Sequence, residues 1–367
     1  MKISNISIQN YKSIKSLTSF EMGNINILIG ANGVGKSNFI SFLILLKQIA
    51  NKNLQGYIAD KAGANNFLHF GRKVSPFLSG RVEFDNGNAY DFDLKPDSED
   101  SFYFSKELAG FKPQKNWTYI ASDSVGHKES KLDEMIQSHI KNYKYGGIPE
   151  YVKRALSDFE VYHFHDTGVH SPIKMTCDIN DNRFLRKDGS NIAAFLLYLK
   201  EKQPFALKKI EGVVKQIAPF FDSFVLEPLR RAPEKIKLEW LEKGSDEYFN
   251  ADQLSDGTIR MIALATLLLQ PNPPQTIIID EPELGLHPAA IQQLAGLIRK
   301  ASVQSQIIIS TQSVTLVNQF NPEDLIIVER KDGSSAFKKL TLKEIEDWLE
   351  NYSLGEAWEK NIIGGRP

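Results

Sequence analysis

Residues 30–37 read Gly-Ala-Asn-Gly-Val-Gly-Lys-Ser, which fits the pattern G-x-x-x-x-G-K-[ST] of a phosphate-binding loop. Residues 24–29 before it end in a short apolar run, and residues 35–49 are apolar at helical spacing. A strand is therefore expected to lead into the loop and a helix to follow it, which is the arrangement that binds phosphate at a helix N-terminus. A glycine-rich turn that matched by chance would lack this context.

The loop residues have different predicted roles toward ATP. Glycines permit backbone conformations that a side chain would obstruct, so that amide N–H groups can point at phosphate oxygens. We expect Lys36 to reach the β- and γ-phosphates and to take part in catalysis, and we expect Ser37 to hold Mg²⁺. The predicted nucleotide contacts of this segment are Asn32, Gly33, Gly35, Lys36, Ser37 and Asn38.

A hydrophobic strand that ends in an acidic pair lies far behind the loop, where residues 277–282 read Ile-Ile-Ile-Asp-Glu-Pro. Asp280 ends this strand, so its carboxylate is expected at the C-terminal edge of the sheet, where it would coordinate Mg²⁺. Glu281 is predicted to polarise the attacking water as general base. The alternative is an ordinary pair that caps the next helix, and a supporting or capping role is favoured for Glu283.

A third segment, residues 254–258, reads Leu-Ser-Asp-Gly-Thr and opens an amphipathic helix over residues 258–269. Taken alone, it is best interpreted as a capped helix start, because Ser, Asp and Gly are good N-cap residues. Its position just ahead of the acidic pair favours a second role. The Ser255 hydroxyl and the Gly257 amide would clamp the γ-phosphate of ATP that a second subunit holds.

The composition of the 367-residue chain is that of a globular protein, with 42% hydrophobic and 24% charged residues. The net charge of -1 does not indicate a globally basic nucleic-acid binder, although a local patch remains possible. A single cysteine, Cys177, excludes an intrachain disulfide and suits a reducing cytoplasm. Residues 1–5 do not resemble a signal peptide, and the apolar runs are too short to span a membrane.

Further elements can be predicted from hydrophobic periodicity. Residues 2–9 alternate as a strand does, and residues 77–120 resemble an antiparallel sheet with a turn at residues 85–87. Two regions are predicted to be helical, residues 131–159 with a break at 146–149, and residues 191–218 with a break near Pro204. Buried strands at 276–279, 306–310 and 324–329 alternate with helices, which indicates an α/β fold with a parallel sheet.

The motifs and their order resemble the RecF-like and SMC-like ATPases of the ABC clan, especially the compact bacterial AAA15/AAA21-type proteins. Those proteins are related to the ATPase domain of overcoming-lysogenization-defect (OLD) nucleases. The resemblance covers nearly the whole chain. It rests on residues 6–13 as the opening strand and basic turn, 254–258 as the signature, 280–288 as Walker B and D-loop, and 310–313 at the switch position.

This resemblance implies an ABC-type P-loop ATPase with a mixed or parallel core sheet, an antiparallel β lobe and an inserted helical region. The expected segments are a first ATPase lobe over residues 1–125, a helical insertion over 126–220 and a second lobe over 221–367. Gln312 stands where the wider clan has a switch histidine. Glutamine can still hydrogen-bond a γ-phosphate or a water, so Gln312 is a predicted catalytic residue, but it cannot carry a positive charge. The Q-loop glutamine is not assigned, although Gln48 and Gln55 lie in the right region.

The function implied is an ATP hydrolase that closes around ATP as at least a dimer. Its partner would be a separately encoded TOPRIM-like nuclease in a bacterial anti-phage complex, because the roughly fifty residues after the last motif are too few for such a domain. Each composite site would take Lys36, Ser37, Asp280, Glu281 and Gln312 from one subunit, and Ser255 and Gly257 from the other.

The main alternative is a RecF-like DNA-repair ATPase that binds duplex DNA directly. Its candidate basic groups are Lys208, Lys209, Arg230, Arg231, Lys235 and Lys237. Such groups more often form a solvated face, and the helical stretches are too short and interrupted for an SMC-length arm. A transporter subunit is disfavoured by the insertion and by Gln312, and a small-molecule kinase would not need the signature segment.

Two segments lack a chemical assignment. Residues 163–166 read His-Phe-His-Asp, which invites a metal interpretation, but a structural role at a strand end is favoured because no third ligand motif is near. Residues 358–367 resemble a tail typical of the compact proteins, which could be a docking element or a packed terminus.

Overall fold

The computed structural model describes residues 1–112, 116–143, 147–168 and 170–366. Its contacts divide the chain into two compact units. Unit 1 combines residues 1–159 with the chain from residue 322 onward, and unit 2 is residues 160–321. This grouping differs from the predicted segments 1–125, 126–220 and 221–367, because a strand late in the chain pairs with the strand that precedes the phosphate loop.

The secondary structure follows in chain order for the described residues. The strands are β1 (Ile3–Tyr11), β2 (Ile14–Glu21), β3 (Ile25–Ile29), β4 (Leu78–Phe84), β5 (Asn88–Pro96), β6 (Phe102–Phe111), β7 (Thr118–Ala121), β8 (Phe159–Tyr162), β9 (Cys177–Asp178), β10 (Phe221–Val225), β11 (Lys235–Ile236), β12 (Glu239–Glu242), β13 (Tyr248–Asn250), β14 (Thr276–Asp280), β15 (Gln306–Thr311), β16 (Leu325–Lys331) and β17 (Ser334–Lys339). The helices are α1 (Lys36–Ala50), α2 (Leu54–Asp60), α3 (Leu132–Tyr143), α4 (Gly147–Ser157), α5 (Ile192–Lys202), α6 (Pro204–Ile217), α7 (Asp256–Leu269), α8 (Pro288–Ala301), α9 (Val314–Val317), α10 (Leu342–Leu349) and α11 (Leu354–Glu359).

Unit 1 contains an antiparallel sheet in the order β2-β1-β4-β5-β6-β7. Strand β4 alternates strictly between buried and half-buried residues, as expected for a sheet with one face on the core. Strand β3 is buried along its whole length; it pairs in parallel with β16, which pairs antiparallel with β17. Helix α1 buries Phe39, Phe42 and Leu46. Strand β3, which precedes the phosphate loop, therefore pairs with a strand that lies about 300 residues later in the chain.

Unit 2 contains the strands β15, β14 and, from Glu160 onward, β8, side by side in that order. Strands β14 and β15 are parallel, with Asp280 opposite Ser310. Helix α7 buries every residue from Thr258 to Leu268, which is typical of a helix enclosed by other elements rather than lying on a surface. Pro204 occupies the first turn of α6, where its missing N–H costs nothing, so it separates α5 from α6 as predicted.

The elements predicted from periodicity are confirmed for β1, β3, α1, α7, β14, β15 and β16, each within two residues of the expected bounds. The predicted antiparallel region is β4 to β7, and its turn has Gly87 at φ 83°. The predicted helical region 131–159 contains α3 and α4, and Phe159 already belongs to β8. Residues 147–149 of the predicted break are the first residues of α4 instead, and Gly146 lies outside the described residues. Strand β17 and helices α10 and α11 were not predicted.

Candidate active site

The phosphate loop of unit 1 is a backbone cradle that two glycines make possible. Gly30 has φ 151°, and a Cβ on it would lie 2.2 Å from the Val328 carbonyl oxygen. Gly35 has φ 117°, and a Cβ on it would lie 2.1 Å from Ser335 Oγ. Any side chain at either position would therefore clash as well as strain the backbone. The consensus glycines at both ends of the loop are required by the packing of this molecule.

Lys36 lies in this cradle with only 6% of its surface exposed. Its Nζ donates to the carbonyl oxygens of Gly30 at 2.5 Å and Ala31 at 3.0 Å. Each N–H of the ammonium is a donor, so an anionic oxygen could replace one of these carbonyls. No side chain caps the start of α1 at Gly35, and Ser37 in its first turn is exposed. These features fit a bound phosphate group, because the helix dipole and the ammonium favour negative charge at the same place.

The other predicted loop contacts differ in their accessibility. Asn32 and Gly33 are exposed at the tip of the loop. Asn38 turns toward the protein instead, where its Nδ2 donates to Ser13 Oγ at 2.6 Å. The amide of Asn38 therefore braces the loop in this structure.

The acidic pair and the switch position meet in unit 2. Glu281 follows β14 with φ 41°, a left-handed conformation that is uncommon for a residue with a side chain. Its N–H donates to the Ser310 carbonyl oxygen at 2.8 Å, and its Oε1 accepts from Gln312 Nε2 at 2.5 Å. The parallel register of β14 and β15 thus joins two predicted catalytic residues into one hydrogen-bonded pair. Backbone strain of this kind is often found at functional sites.

Glu283 supports the end of β15 through hydrogen bonds to Thr311 and Gln312. Its Oε1 accepts from Thr311 Oγ1 at 2.5 Å and from the Gln312 N–H at 3.4 Å. Its Oε2 is buried without a hydrogen-bond partner among the described residues. Helix α8 is capped by His287, whose Nδ1 accepts from the Ala289 N–H, so the proposed capping role of Glu283 is wrong and its supporting role is correct.

Burial raises the pKa of Glu283 above its ordinary value, although the hydrogen bond from Thr311 opposes the shift. The folded protein therefore binds the proton more tightly than the unfolded chain. The protonated Glu283 side chain therefore contributes favourably to the free energy of unfolding below the pKa of the unfolded state, about 4.3. This contribution is lost as the pH rises through the pKa of the folded state.

Replacing Glu283 with glutamine is expected to remove the loss of stability that wild type undergoes as the pH rises, because glutamine does not ionise. The free energy of unfolding of the variant should improve relative to wild type as the pH rises from about 5 to about 8. Chemical denaturation at a series of pH values measures this difference. Glu346→Gln, on the exposed side of α10, is the matched control. A difference between Glu283→Gln and wild type that does not change with pH would contradict the assignment.

The signature segment begins α7, and Ser255 is its N-cap. Ser255 Oγ accepts from the Thr258 N–H at 3.2 Å and lies 2.8 Å from Thr258 Oγ1. The capping interpretation of the sequence is therefore correct. Ser255 is nevertheless exposed, so its hydroxyl is accessible from outside the chain. A Cβ on Gly257 would lie 2.8 Å from the Gly285 carbonyl oxygen, which gives this glycine a packing reason as well.

Arg260 organises the region around the signature segment, and sequence reasoning missed it. It is 5% exposed; its Nε donates to the Phe164 carbonyl oxygen at 2.9 Å and its Nη2 donates to the His165 carbonyl oxygen at 3.0 Å. Burial lowers its pKa, and the charges of Asp256 and Glu283 oppose that shift. The feature of the sequence that could have indicated Arg260 is that it is a single arginine in an otherwise apolar stretch of α7.

Residues 163–166 follow β8, as expected for a strand end. Partial desolvation lowers the pKa of His163, the neighbouring His165 acts in the same direction, and the charge of Asp280 opposes both. The rings of His163 and His165 are 6.2 Å apart. Among the described residues, no group of three or more His, Cys, Asp or Glu side chains could hold a metal ion.

The remaining candidates take part in contacts within the fold. Gln48 accepts from Asn53, and Gln55 donates to the carbonyl oxygens of Phe102 and Lys128. Two of the candidate DNA-binding lysines pair with acids: Lys235 lies 3.8 Å from Asp178, and Lys237 lies 3.0 Å from Glu239. These ion pairs fit the solvated-face interpretation of those two lysines.

The segment after α11 is packed rather than extended into solvent. The fully buried Trp358 donates its indole N–H to the Gly365 carbonyl oxygen. The Gly365 N–H donates to Glu329 Oε1 at 2.6 Å. Pro367, the last residue of the predicted tail, lies outside the described residues. In the described ranges, every helix is too short or too polar to cross a bilayer.

A protein-family model matches residues 25–318, and its description is AAA domain, putative AbiEii toxin, Type IV TA system. A putative ABC transporter ATP-binding protein of Pyrococcus horikoshii is 28% identical over 191 residues, which are 48% of this chain and 72% of that protein. The Old nuclease of Escherichia phage P2 is 28% identical over 187 residues, which are 46% of this chain. The aligned region spans only 32% of the Old nuclease.

Solved structures of SMC heads share the fold. An SMC head solved bound to the C-winged helix domain of ScpA superposes with a TM-score of 0.58 at 16% identity, covering 95% of this chain and 100% of that one. A head domain with an extended coiled coil, bound to the C-terminal domain of ScpA and derived from Pyrococcus furiosus, gives 0.55 at 15% identity, covering 95% and 98%. The expected α/β fold of an ABC-type ATPase is confirmed.

Proposed function

The chain belongs to the AAA_21 family of AAA-domain, ABC-clan ATPases, and we propose that it binds and hydrolyses ATP as the switch of a bacterial defence complex. The observation that carries this proposal is the phosphate loop, where Lys36 is buried at the uncapped start of α1. Charge, dipole and backbone shape there favour one kind of ligand, a polyphosphate.

Within the proposed site, the residues of the loop bind and orient the nucleotide. Lys36 would place its ammonium against the β- and γ-phosphates, and the amides of Gly33 and Gly35 would face phosphate oxygens. The exposed Ser37 hydroxyl and the Asp280 carboxylate are hard oxygen donors of the kind that Mg²⁺ prefers. A bound Mg²⁺ would neutralise the charge that develops on the phosphates.

Glu281 is the proposed general base. Because Gln312 donates to its Oε1, the carboxylate is held in one orientation and its second oxygen can accept a proton from water. This arrangement gives Gln312 a role that requires no positive charge, which answers the absence of a histidine at that position. Gln312 positions the base. Glu283 in turn positions Gln312 by accepting a hydrogen bond from the Gln312 backbone N–H.

The proposed active form is at least a dimer, in which Ser255 and Gly257 complete the site of the other subunit. The exposure of Ser255 at the start of α7 supports this, because a helix N-terminus attracts the γ-phosphate. ATP binding would close the interface and hydrolysis would open it.

The proposed effector is a separately encoded TOPRIM-like nuclease. The support for a nuclease is the similarity to part of the Old nuclease. DNA remains a candidate ligand of the complex, and the cytoplasm is the proposed location because the single Cys177 suits a reducing compartment.

A mixture of two inactive variants tests the shared site. Ser255→Arg and Lys36→Ala should each abolish turnover, because one blocks the site of the partner and the other removes the phosphate contact of its own site. Equal mixing should restore about a quarter of wild-type activity, since half of the dimers then contain one intact site. Steady-state phosphate release measures this recovery.

The matched control is a mixture of Lys36→Ala with Glu281→Gln. Both residues are assigned to the same half of the site, so no dimer of these two chains contains an intact site and activity should stay absent. Exchange of subunits is verified with differently tagged chains. Failure of the first mixture to recover, when mixed dimers have formed, would rule out the shared site.

A further inference from the structure

Three hydroxyl and amide groups meet behind the phosphate loop in unit 1. Ser335 Oγ lies 2.7 Å from Ser13 Oγ and 2.5 Å from the Val34 carbonyl oxygen. Asn38 Nδ2 donates to Ser13 Oγ at 2.6 Å. These groups come from the turn after β1, from the loop and α1, and from the start of β17. The loop is therefore joined to two other parts of the unit.

The protons of this cluster can be assigned consistently. A hydroxyl has one proton, so Ser335 cannot donate to both of its neighbours at once. A chain in which Asn38 donates to Ser13, Ser13 to Ser335, and Ser335 to Val34 gives every acceptor one donor. Ser335 is 3% exposed, so water cannot readily take its place. Removing its hydroxyl would leave the Val34 carbonyl short of a donor inside the protein.

The position of Ser335 is set by the hairpin of β16 and β17, not by the loop. The turn of this hairpin has Asp332 at φ 50° and Gly333 at φ 77°, and its strands pair from Ile326 to Lys339. The Ser335 N–H also donates to the Ser13 carbonyl oxygen at 2.7 Å. The Ser335 hydroxyl therefore belongs to a hairpin that is held by its own strand pairing and by a backbone hydrogen bond to Ser13.

The same hairpin contacts both ends of the loop. Ser335 Oγ occupies the space that a Cβ on Gly35 would need, and the Val328 carbonyl oxygen occupies the equivalent space at Gly30. Gly35 is the N-cap of α1 and directly precedes Lys36. A shift of the loop backbone at Val34 and Gly35 would therefore move the first turn of α1, which carries the ammonium and the Ser37 hydroxyl.

We propose that Ser335 is a positioning residue for the phosphate loop, which holds the loop in its nucleotide-binding shape through Val34 and Ser13. The inference rests on the proposed nucleotide binding. Ser335 touches the backbone of the loop and not the reacting atoms. Its loss should weaken the capture of nucleotide more than it slows the chemical step.

Ser335→Ala tests this directly in the full chain. Its affinity for ATP and for ADP, measured by calorimetry, should fall about tenfold, as expected for one buried hydrogen bond left incomplete. The KM for ATP should rise by a similar factor, while kcat changes by less than about twofold. Ser334→Ala is the matched control, because the Ser334 hydroxyl donates to the Lys331 carbonyl oxygen within the turn, and it should behave as wild type.

A second variant, Ser13→Ala, removes the other hydroxyl of the contact between Ser13 and Ser335. Ser13→Ala should also weaken nucleotide affinity, and the double variant should lose less than the sum of the two single losses, since both act through one network. Ser13→Ala by itself also tests the contact if Ser335→Ala does not fold. Ser335→Ala or Ser13→Ala proteins that bind ATP as tightly as wild type would overturn the inference. Wild-type protein that binds no ATP would instead overturn the proposed function.

Discussion

Replacing Lys36 with alanine is expected to weaken ATP binding by about a hundredfold, which corresponds to the loss of two charge-assisted hydrogen bonds to phosphate. The ammonium is buried in the loop, where the carbonyl oxygens of Gly30 and Ala31 hold it against the start of α1. Among the described residues, no side chain caps that helix end. Alanine would leave the helix dipole and the backbone amides but remove the only full positive charge that the loop itself supplies.

Equilibrium binding of ATP to the purified proteins measures this loss. Lys47→Ala is the matched control, because Lys47 lies in the last turn of the same helix and its removal changes the net charge equally. Thermal denaturation should show that Lys36→Ala stays folded. If Lys36→Ala and Lys47→Ala bound ATP as tightly as wild type does, residues 30–37 would be a structural turn and not a nucleotide site.

Glu281→Gln is expected to keep ATP binding and to slow hydrolysis by at least about a hundredfold, the usual contribution of a general base. Glutamine still offers a carbonyl oxygen to Gln312 Nε2, so the pair between β14 and β15 is preserved and only the proton acceptor is lost. Because hydrolysis would open the dimer, the variant should accumulate as an ATP-dependent dimer.

Steady-state hydrolysis, with and without linear duplex DNA, gives the rates, and light scattering after gel filtration gives the assembly state. Glu283→Gln makes the same chemical change two residues away and should slow turnover far less.

Turnover by wild type that is indifferent to DNA would support a switch that answers to a protein trigger. Strong stimulation by DNA would favour the RecF-like alternative. Assembly of Glu281→Gln in the absence of ATP would contradict the proposed cycle.

Residues 30–37 were predictable because their chemistry is local. The strand β3, the loop and helix α1 follow one another along the chain, so the pattern of glycines and apolar residues already contains the arrangement. The same holds for Asp280 at the end of β14 and for Ser255 at the start of α7. In each case one element ends or begins at the residue of interest.

The contacts that shape the site are of a different kind. Ser335 meets Ser13 across 322 residues of chain, and Glu283 meets Thr311 across 28. No periodicity in the sequence marks a serine at the start of a strand, or the second glutamate of an acidic segment, as a partner of a distant group. These pairs form only when whole elements have packed, because the packing fixes which side chains face each other.

The sequence alone established the ABC-type ATPase family, the order of its motifs and the elements that carry Lys36, Asp280 and Glu281. The folded chain added the partners: the carbonyl cradle of Lys36, the Gln312 side chain on Glu281, and the hairpin behind Gly35. The physical reason for this difference is how far apart along the chain the interacting residues lie. Helix starts, strand ends and glycine turns depend on neighbours a few residues away, whereas buried hydrogen bonds depend on which surfaces meet once the apolar faces are covered.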